Sequence, residues 1–78
     1  MLLLKLIKET NSLVEYNFYP EKKKEYGTII LDKNDGSIKV AKECDGDRCN
    51  IYSSRAIAKI SSYFDEKDFL NEELIAWC

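Results

Sequence analysis

Hydrophobic and polar positions alternate with a period of two in the first half of the chain. In residues 13–19, Val14, Tyr16 and Phe18 fall on one side, and mostly polar residues fall on the other. Such alternation with aromatic residues is typical of a half-buried β-strand. Residues 2–9 mix apolar residues with lysine and also favour a strand. We therefore predict that the chain begins with two strands, separated by the turn-forming residues 9–12.

A second pair of strands is predicted over residues 26–32 and 37–43. Pro20 ends the strand before this pair, since proline donates no ladder hydrogen bond. Asp35-Gly36 lies between the two β-prone segments. Glycine supplies the positive φ that a tight turn needs, so this dipeptide indicates a hairpin. The two hairpins together predict a four-stranded antiparallel meander.

The pattern changes to a helical period after the loop at residues 44–50. Ser53 or Ser54 is predicted to cap the helix by accepting its first free N–H groups. Apolar residues then recur at the i, i+3, i+4, i+7 spacing that buries one stripe of a helix. These residues are Ala56, Ile57, Ile60, Tyr63 and Phe64. The polar segment 65–68 ends the helix. Residues 69–78 are compatible with a helix or a short last strand, and we favour the strand.

These elements predict the α+β class, with a four-stranded antiparallel meander packed against one C-terminal helix. At 78 residues the chain is expected to form a single domain over residues 1–78. One helix covers one face of such a sheet. The other face is expected to stay exposed, as antiparallel sheets allow.

The composition of the chain excludes several classes of function. The chain has 12 Lys+Arg, 14 Asp+Glu and no histidine, for a formal charge of -2. The chain therefore has no imidazole that could act as a base or as a metal ligand, and it shows no phosphate-binding glycine loop. We predict no enzymatic activity, no cofactor and no bound metal. The acidic balance disfavours nucleic acid as a partner. No apolar run is long enough to span a membrane. Lys5 and Lys8 interrupt the apolar run at the start of the chain, which argues against a signal peptide. A cytoplasmic location is expected.

The cysteines leave three interpretations open. Cys44 and Cys49 bracket a short acidic loop, and Cys78 is the third cysteine. Two free thiols are the simplest interpretation in a reducing compartment. A redox pair of Cys44 and Cys49 is the second, although the spacing is not the C-x-x-C motif. A zinc site is the third, but it needs four ligands.

Aromatic residues are numerous, with five Tyr, three Phe and one Trp. Most are expected in the core, and some on a binding face, where Tyr and Trp are enriched. The candidate interface residues are Tyr16, Tyr19, Tyr26, Tyr52 and Trp77. The basic loop Lys22, Lys23 and Lys24 is flanked by glutamates and is interpreted first as a solvated loop. With Arg48, Arg55 and Lys59 it forms the alternative, a nucleic-acid site.

Several short segments resemble a group of very small uncharacterised proteins of Gram-positive anaerobes, Clostridia and their relatives. The matching segments are Tyr19-Pro20-Glu21, Tyr26-Gly27-Thr28-Ile29, Asp35-Gly36, Ile51-Tyr52 with the following helix, and Ala76-Trp77. The chain departs from the group in ending at Cys78 and in its two-cysteine loop. The resemblance covers residues 16–78 and implies an accessory protein, often of prophage or mobile-element type, that acts by binding a larger protein.

The leading hypothesis is therefore a non-enzymatic protein-binding module of unknown partner. A phage or mobile-element inhibitor of a host system, similar to anti-CRISPR proteins, is the subclass that the resemblance suggests. A homodimer through an exposed sheet face or edge is also left open. The two alternatives are a small nucleic-acid-binding regulator and a thiol-based redox or metal-responsive switch at Cys44 and Cys49.

Overall fold

The fold alternates extended segments with turns and then adds a helix and a last strand. The computed structural model describes residues 1–21, 24–44 and 51–76. Its strands are β1 (Leu2–Glu9), β2 (Leu13–Pro20), β3 (Gly27–Asp32), β4 (Ile38–Lys42) and β5 (Glu72–Ile75), and its helix is α1 (Ile51–Glu66).

The strands form one antiparallel sheet in the order β4-β3-β2-β1-β5. The first four strands are the predicted meander, and strand β5 pairs with β1 at the far edge. The α+β prediction is confirmed, and so is the choice of strand over helix for the tail, where the strand covers Glu72–Ile75. Residues 77 and 78 lie outside the described residues.

Helix α1 packs on one face of the sheet and closes the core. The alternation predicted for β2 is confirmed, because Val14, Tyr16 and Phe18 are all buried beneath the helix. The helical stripe is confirmed as well, with Ala56 and Ile60 fully buried. The apolar core thus lies between α1 and one face of the sheet.

The predicted helix cap is wrong. Helix α1 begins at Ile51, so Ser53 and Ser54 lie inside its first turn. Ser53 is buried and lies three residues before Ala56, on the same stripe that faces the sheet. The buried stripe of the helix therefore includes Ser53, a small polar residue for which the sequence pattern predicts a capping role.

The Asp35-Gly36 hairpin turn is confirmed between β3 and β4. Gly36 has a φ of 77°, which is the left-handed region that favours glycine. Its N–H donates to the carbonyl of Asp32 at 2.8 Å. The Asp35 carboxylate accepts the backbone N–H of Ser37 at 2.8 Å, and this bond lowers the pKa of Asp35.

Two irregularities in strand pairing change which side chains share a face. In β1 the register shifts between Leu6 and Lys8, so Ile7 is an extra residue. In β4 the partners of Thr28 and Ile29 are two residues apart. A bulge of this kind brings residues three positions apart onto the same face. The first shift places Lys8 with Lys5, and the second places Lys42 with Lys39.

Candidate binding face

The sheet has one face without a covering element among the described residues. We call it the open face. Directly paired residues point to the same side of a sheet, so the register identifies its members. They are Leu3, Lys5, Lys8, Leu13, Glu15, Asn17, Tyr19, Thr28, Ile30, Asp32, Lys39, Lys42, Glu72 and Leu74.

Two tyrosines and two lysines form a row across the open face. Tyr19 lies at the end of β2 and Tyr26 directly before β3, and their ring centroids are 5.5 Å apart at an interplanar angle of 37°. The Lys5 ammonium lies 5.6 Å from the Tyr19 centroid, and the Lys42 ammonium lies 3.7 Å from the Tyr26 centroid. Lysine over an aromatic ring is an attractive electrostatic contact. We call these four residues the tyrosine–lysine row.

A chain of hydrogen bonds supports this row from below. The Thr28 hydroxyl donates to Asn17 Oδ1 at 2.8 Å, and Asn17 Nδ2 donates to the Tyr19 hydroxyl oxygen at 3.4 Å. Asn17 and Thr28 face each other across β2 and β3, and each is only 9% exposed. Because the Tyr19 oxygen accepts the amide proton, its own proton is available to a bound group.

The charge on the open face differs from the charge of the whole chain. Four lysines lie on it, at positions 5, 8, 39 and 42, against three carboxylates at positions 15, 32 and 72. Lys5 and Glu72 approach to 4.0 Å in an exposed pair, which contributes little. Lys42 has no carboxylate within ion-pair distance in the described part of the chain. Among its strand residues, the open face therefore carries one more lysine than carboxylate, on a protein whose formal charge is -2.

Shallow depressions lie at two places along the β4 side of the sheet. One, of about 320 Å³, is lined by Lys24, Glu25, Tyr26, Lys42 and Glu43. The other, of about 600 Å³, includes Leu13, Ile30 and Lys39. The first depression is continuous with the tyrosine–lysine row because it shares Tyr26 and Lys42.

The opposite side of the sheet carries a second group of polar contacts, which holds β5 against the helix. The Tyr63 hydroxyl donates to the Glu73 carboxylate, and Lys59 forms an ion pair with Glu73 at 3.3 Å. The Tyr16 hydroxyl donates to the carbonyl of Leu70 at 2.5 Å. Burial, with the nearby carboxylates, raises the pKa of Tyr16 and of Tyr63 well above its ordinary value.

The structure separates the predicted interface residues. Tyr19 and Tyr26 lie together on the open face. Tyr16 is 1% exposed in the core, with its ring 5.7 Å from that of Tyr63, and is not accessible to a partner. Its alternation with Val14 and Phe18 already places it on the apolar side of β2. Tyr52 lies on α1 and donates to Glu21 at 2.8 Å.

Several other predicted residues are only partly described. Of the basic loop, Lys24 is exposed, and Lys22 and Lys23 lie outside the described residues. Trp77, Arg48 and Cys49 also lie outside them. Of the alternative nucleic-acid set, Lys59 is paired with Glu73 on the helix side of the sheet, away from the open face.

Cys44 is buried and forms no disulfide within the part of the chain that the structure describes. It lines a cavity of about 250 Å³ between β4 and α1 with Phe18, Ser53 and Ile57. Since Cys49 lies outside the described residues, the redox pair stays a prediction.

Sequence reasoning missed four contributors to the row and its support: Lys5, Asn17, Thr28 and Lys42. A signal for Asn17 was present, because it alternates in phase with Tyr19. The pairing of Asn17 with Thr28, and of the lysines with the rings, depends on strand register, which the sequence alone does not specify.

No cluster of potential metal ligands is found among residues 1–21, 24–44 and 51–76. Within the same ranges, no helix is long and apolar enough to cross a membrane. The fold and the open face define a small α+β protein in which the helix covers one sheet face and no other described element covers the second. No known family, curated protein or solved structure matches the chain.

Proposed function

We propose that the protein is a non-enzymatic binding module and that its open face contacts a protein partner. The observation that supports this most directly is the tyrosine–lysine row. Helix α1 covers one face of the sheet, whereas Tyr19 and Tyr26 lie paired on the other. Tyrosine is enriched where proteins bind each other, because its ring buries apolar area and its hydroxyl forms a hydrogen bond.

Apolar residues around the row favour the same function. Leu3 pairs with Tyr19 on one side and with Leu74 on the other, and Leu74 is 46% exposed. Ile30 is partly exposed further along the face. An aromatic centre with neighbouring apolar residues and a charged margin is typical of a protein interface.

The test is capture of partners from a lysate of the source organism with the immobilised chain. The double variant Tyr19→Ser and Tyr26→Ser removes both rings from the open face. We expect it to lose at least tenfold in captured partner, since central aromatic residues carry much of an interface's binding energy. Circular dichroism and thermal melting establish that the variant is folded.

The matched control is Ala58→Arg, which adds a large charged side chain to an exposed position of helix α1. We expect this variant to capture the partner as the parent does. Loss of capture with Ala58→Arg, and not with the tyrosine variant, would place the binding surface on the helix and contradict the proposal.

The subclass stays a prediction. A phage or mobile-element protein that inhibits a host system would capture one large host protein in this experiment. The identity of the captured protein decides between that hypothesis and an adaptor of the cell's own machinery.

A further inference from the structure

We propose that the tyrosine–lysine row recognises carboxylate groups of an acidic segment in the protein partner. This inference rests on the proposed function and specifies its chemistry. The row comprises Lys5, Tyr19, Tyr26 and Lys42, supported by the Asn17–Thr28 hydrogen bond.

The first argument is the direction of the hydrogen bonds. Thr28 donates to Asn17, and the Asn17 amide then donates to the Tyr19 oxygen. Amide nitrogens only donate and amide oxygens only accept, so this order leaves the Tyr19 proton for a bound acceptor. The ammonium groups of Lys5 and Lys42 also only donate. The row therefore offers donors, and carboxylate oxygens are matching acceptors that form strong charge-assisted bonds.

The second argument is electrostatic. Lys42 has no described ion-pair partner, and its ammonium lies over the Tyr26 ring. A carboxylate that reaches Lys42 therefore replaces no existing ion pair within the described part of the chain. The strand residues of the open face comprise four lysines and three carboxylates, and the depression at Lys42 adds Lys24, Glu25 and Glu43. The charges around the row are therefore nearly balanced, which suits one or two carboxylates better than a continuous phosphate backbone, whose binding depends on many cationic contacts.

The third argument concerns the rings themselves. The Tyr19 ring contacts the Tyr26 ring and Lys5, and the Tyr26 ring contacts the Tyr19 ring and Lys42. Single-stranded nucleic acids bind sheets by stacking bases on free aromatic faces. Here each ring already has a lysine and the other ring beside it, so a stacked base competes with these contacts. This arrangement favours an acidic peptide over a nucleic acid.

The fourth argument is preorganisation. Asn17 and Thr28 are 9% exposed and bonded to each other, so the Tyr19 hydroxyl is already held in place. A partner then orders few side chains when it binds, and this lowers the entropic cost of binding.

The test is an NMR titration of the full chain with an acidic peptide. The probe alternates glutamate and alanine over about ten residues, and its matched control has glutamine at every glutamate. A site with a few charged contacts is expected to bind the glutamate peptide with a Kd on the order of 1 mM. We expect shifts at Thr28, Lys42 and the side-chain amide of Asn17, and no saturable shifts with the glutamine peptide.

Two variants test the named donors. Lys42→Gln is expected to weaken binding of the glutamate peptide about fivefold, because it removes the positive charge of an exposed ion pair. Tyr19→Phe is expected to weaken that binding about threefold, because it removes the hydroxyl donor. The matched control is Lys67→Gln, which removes the same charge from an exposed residue directly after helix α1. It is expected to change peptide binding by less than a factor of about two, since Lys67 follows the helix and is not on the open face, and salt screens the interaction between separated exposed charges.

Three titration results would overturn the inference. They are equal binding of the two peptides, shifts confined to residues away from the row, and an oligothymidylate that binds more tightly than the glutamate peptide and depends on Lys42 in the same way. A dimer that buries the open face, seen by light scattering and dissociated by Tyr19→Ser with Tyr26→Ser, would also overturn it. If the peptide test fails while the tyrosine variant still loses partner capture, the carboxylate chemistry is wrong and the binding module stands.

Discussion

Replacement of Gly27 by alanine tests how closely the helix-covered face of the sheet is packed. Gly27 is the first residue of β3 and pairs with Phe18. In an unhindered strand this replacement stabilises a protein by up to about 1 kcal/mol, because it restricts the unfolded chain. At Gly27 we expect the opposite sign.

The expected magnitude follows from the space at this position. An alanine Cβ would lie 2.3 Å from Cζ and 2.4 Å from Cε1 of the Phe18 ring, and 2.8 Å from the carbonyl oxygen of Lys42. Ordinary contacts begin near 3.4 Å, so the ring has to move by about 1 Å. Phe18 is fully buried, and the Lys42 oxygen belongs to the backbone. Overpacking of this kind costs about 1–3 kcal/mol. We expect a net loss of about 2 kcal/mol in the free energy of unfolding.

Urea and thermal unfolding followed by circular dichroism measure this loss. For a domain of this size, about 2 kcal/mol lowers the Tm by roughly 8–16 °C. The second variant is Phe18→Leu, which removes the atoms that the new Cβ meets. In the double variant the two losses are expected to be less than additive by about 1 kcal/mol. Unchanged or increased stability in Gly27→Ala, or full additivity, would refute the packing argument.

Three further predictions concern the helix side of the sheet and the hairpin turn. Tyr63→Phe removes the hydrogen bond to Glu73 and is expected to cost about 1–2 kcal/mol, with faster amide exchange in β5 than elsewhere in the sheet. Tyr16 and Tyr63 have a pKa raised above the ordinary 10.0, chiefly by burial, so their contribution to stability is complete below pH 10.0 and is lost as the pH rises above it. Urea unfolding midpoints measured from about pH 9 to 12 report this loss of stability. The loss should be smaller in Tyr63→Phe, because this variant has one of the two hydroxyl groups removed. Gly36→Ala is expected to cost about 1 kcal/mol in urea unfolding, because φ is 77° and the new Cβ lies 2.9 Å from the Phe64 ring.

Most of the fold is predictable from the sequence because each element carries its own periodic pattern. The period of two in β2 and the glycine turn before β4 are local signals that tertiary packing does not override. The start of α1 is not predictable in the same way. Ser53 has the chemistry of a cap, yet it packs against the sheet inside the helix. A small side chain that the core accepts cannot be told from a cap without knowledge of its neighbours.

The candidate site is less predictable than the fold because it depends on pairing between strands. Tyr19 and Tyr26 are visible in the sequence as interface candidates, but their contact requires the β2–β3 register. The position of Lys8 depends on the extra residue at Ile7, for which the sequence shows no glycine or proline. A bulge changes the sheet face of every later residue in its strand. The face on which such a lysine lies can therefore be assigned only once the strand pairing is known.

Net charge is a poor guide to what the open face binds, and two glutamates of equal charge test this. Glu15 lies on the open face two residues before Asn17, whereas Glu66 ends helix α1 on the covered side. A carboxylate about 10 Å from a bound anion repels it by about 0.4 kcal/mol before screening by salt. Glu15→Gln should therefore strengthen binding of the glutamate peptide up to about twofold at low salt, and Glu66→Gln should leave it unchanged, although each changes the net charge by one unit. Equal gains from both variants would mean that the peptide responds to the charge of the whole protein, and the tyrosine–lysine row would then have no special role in recognition.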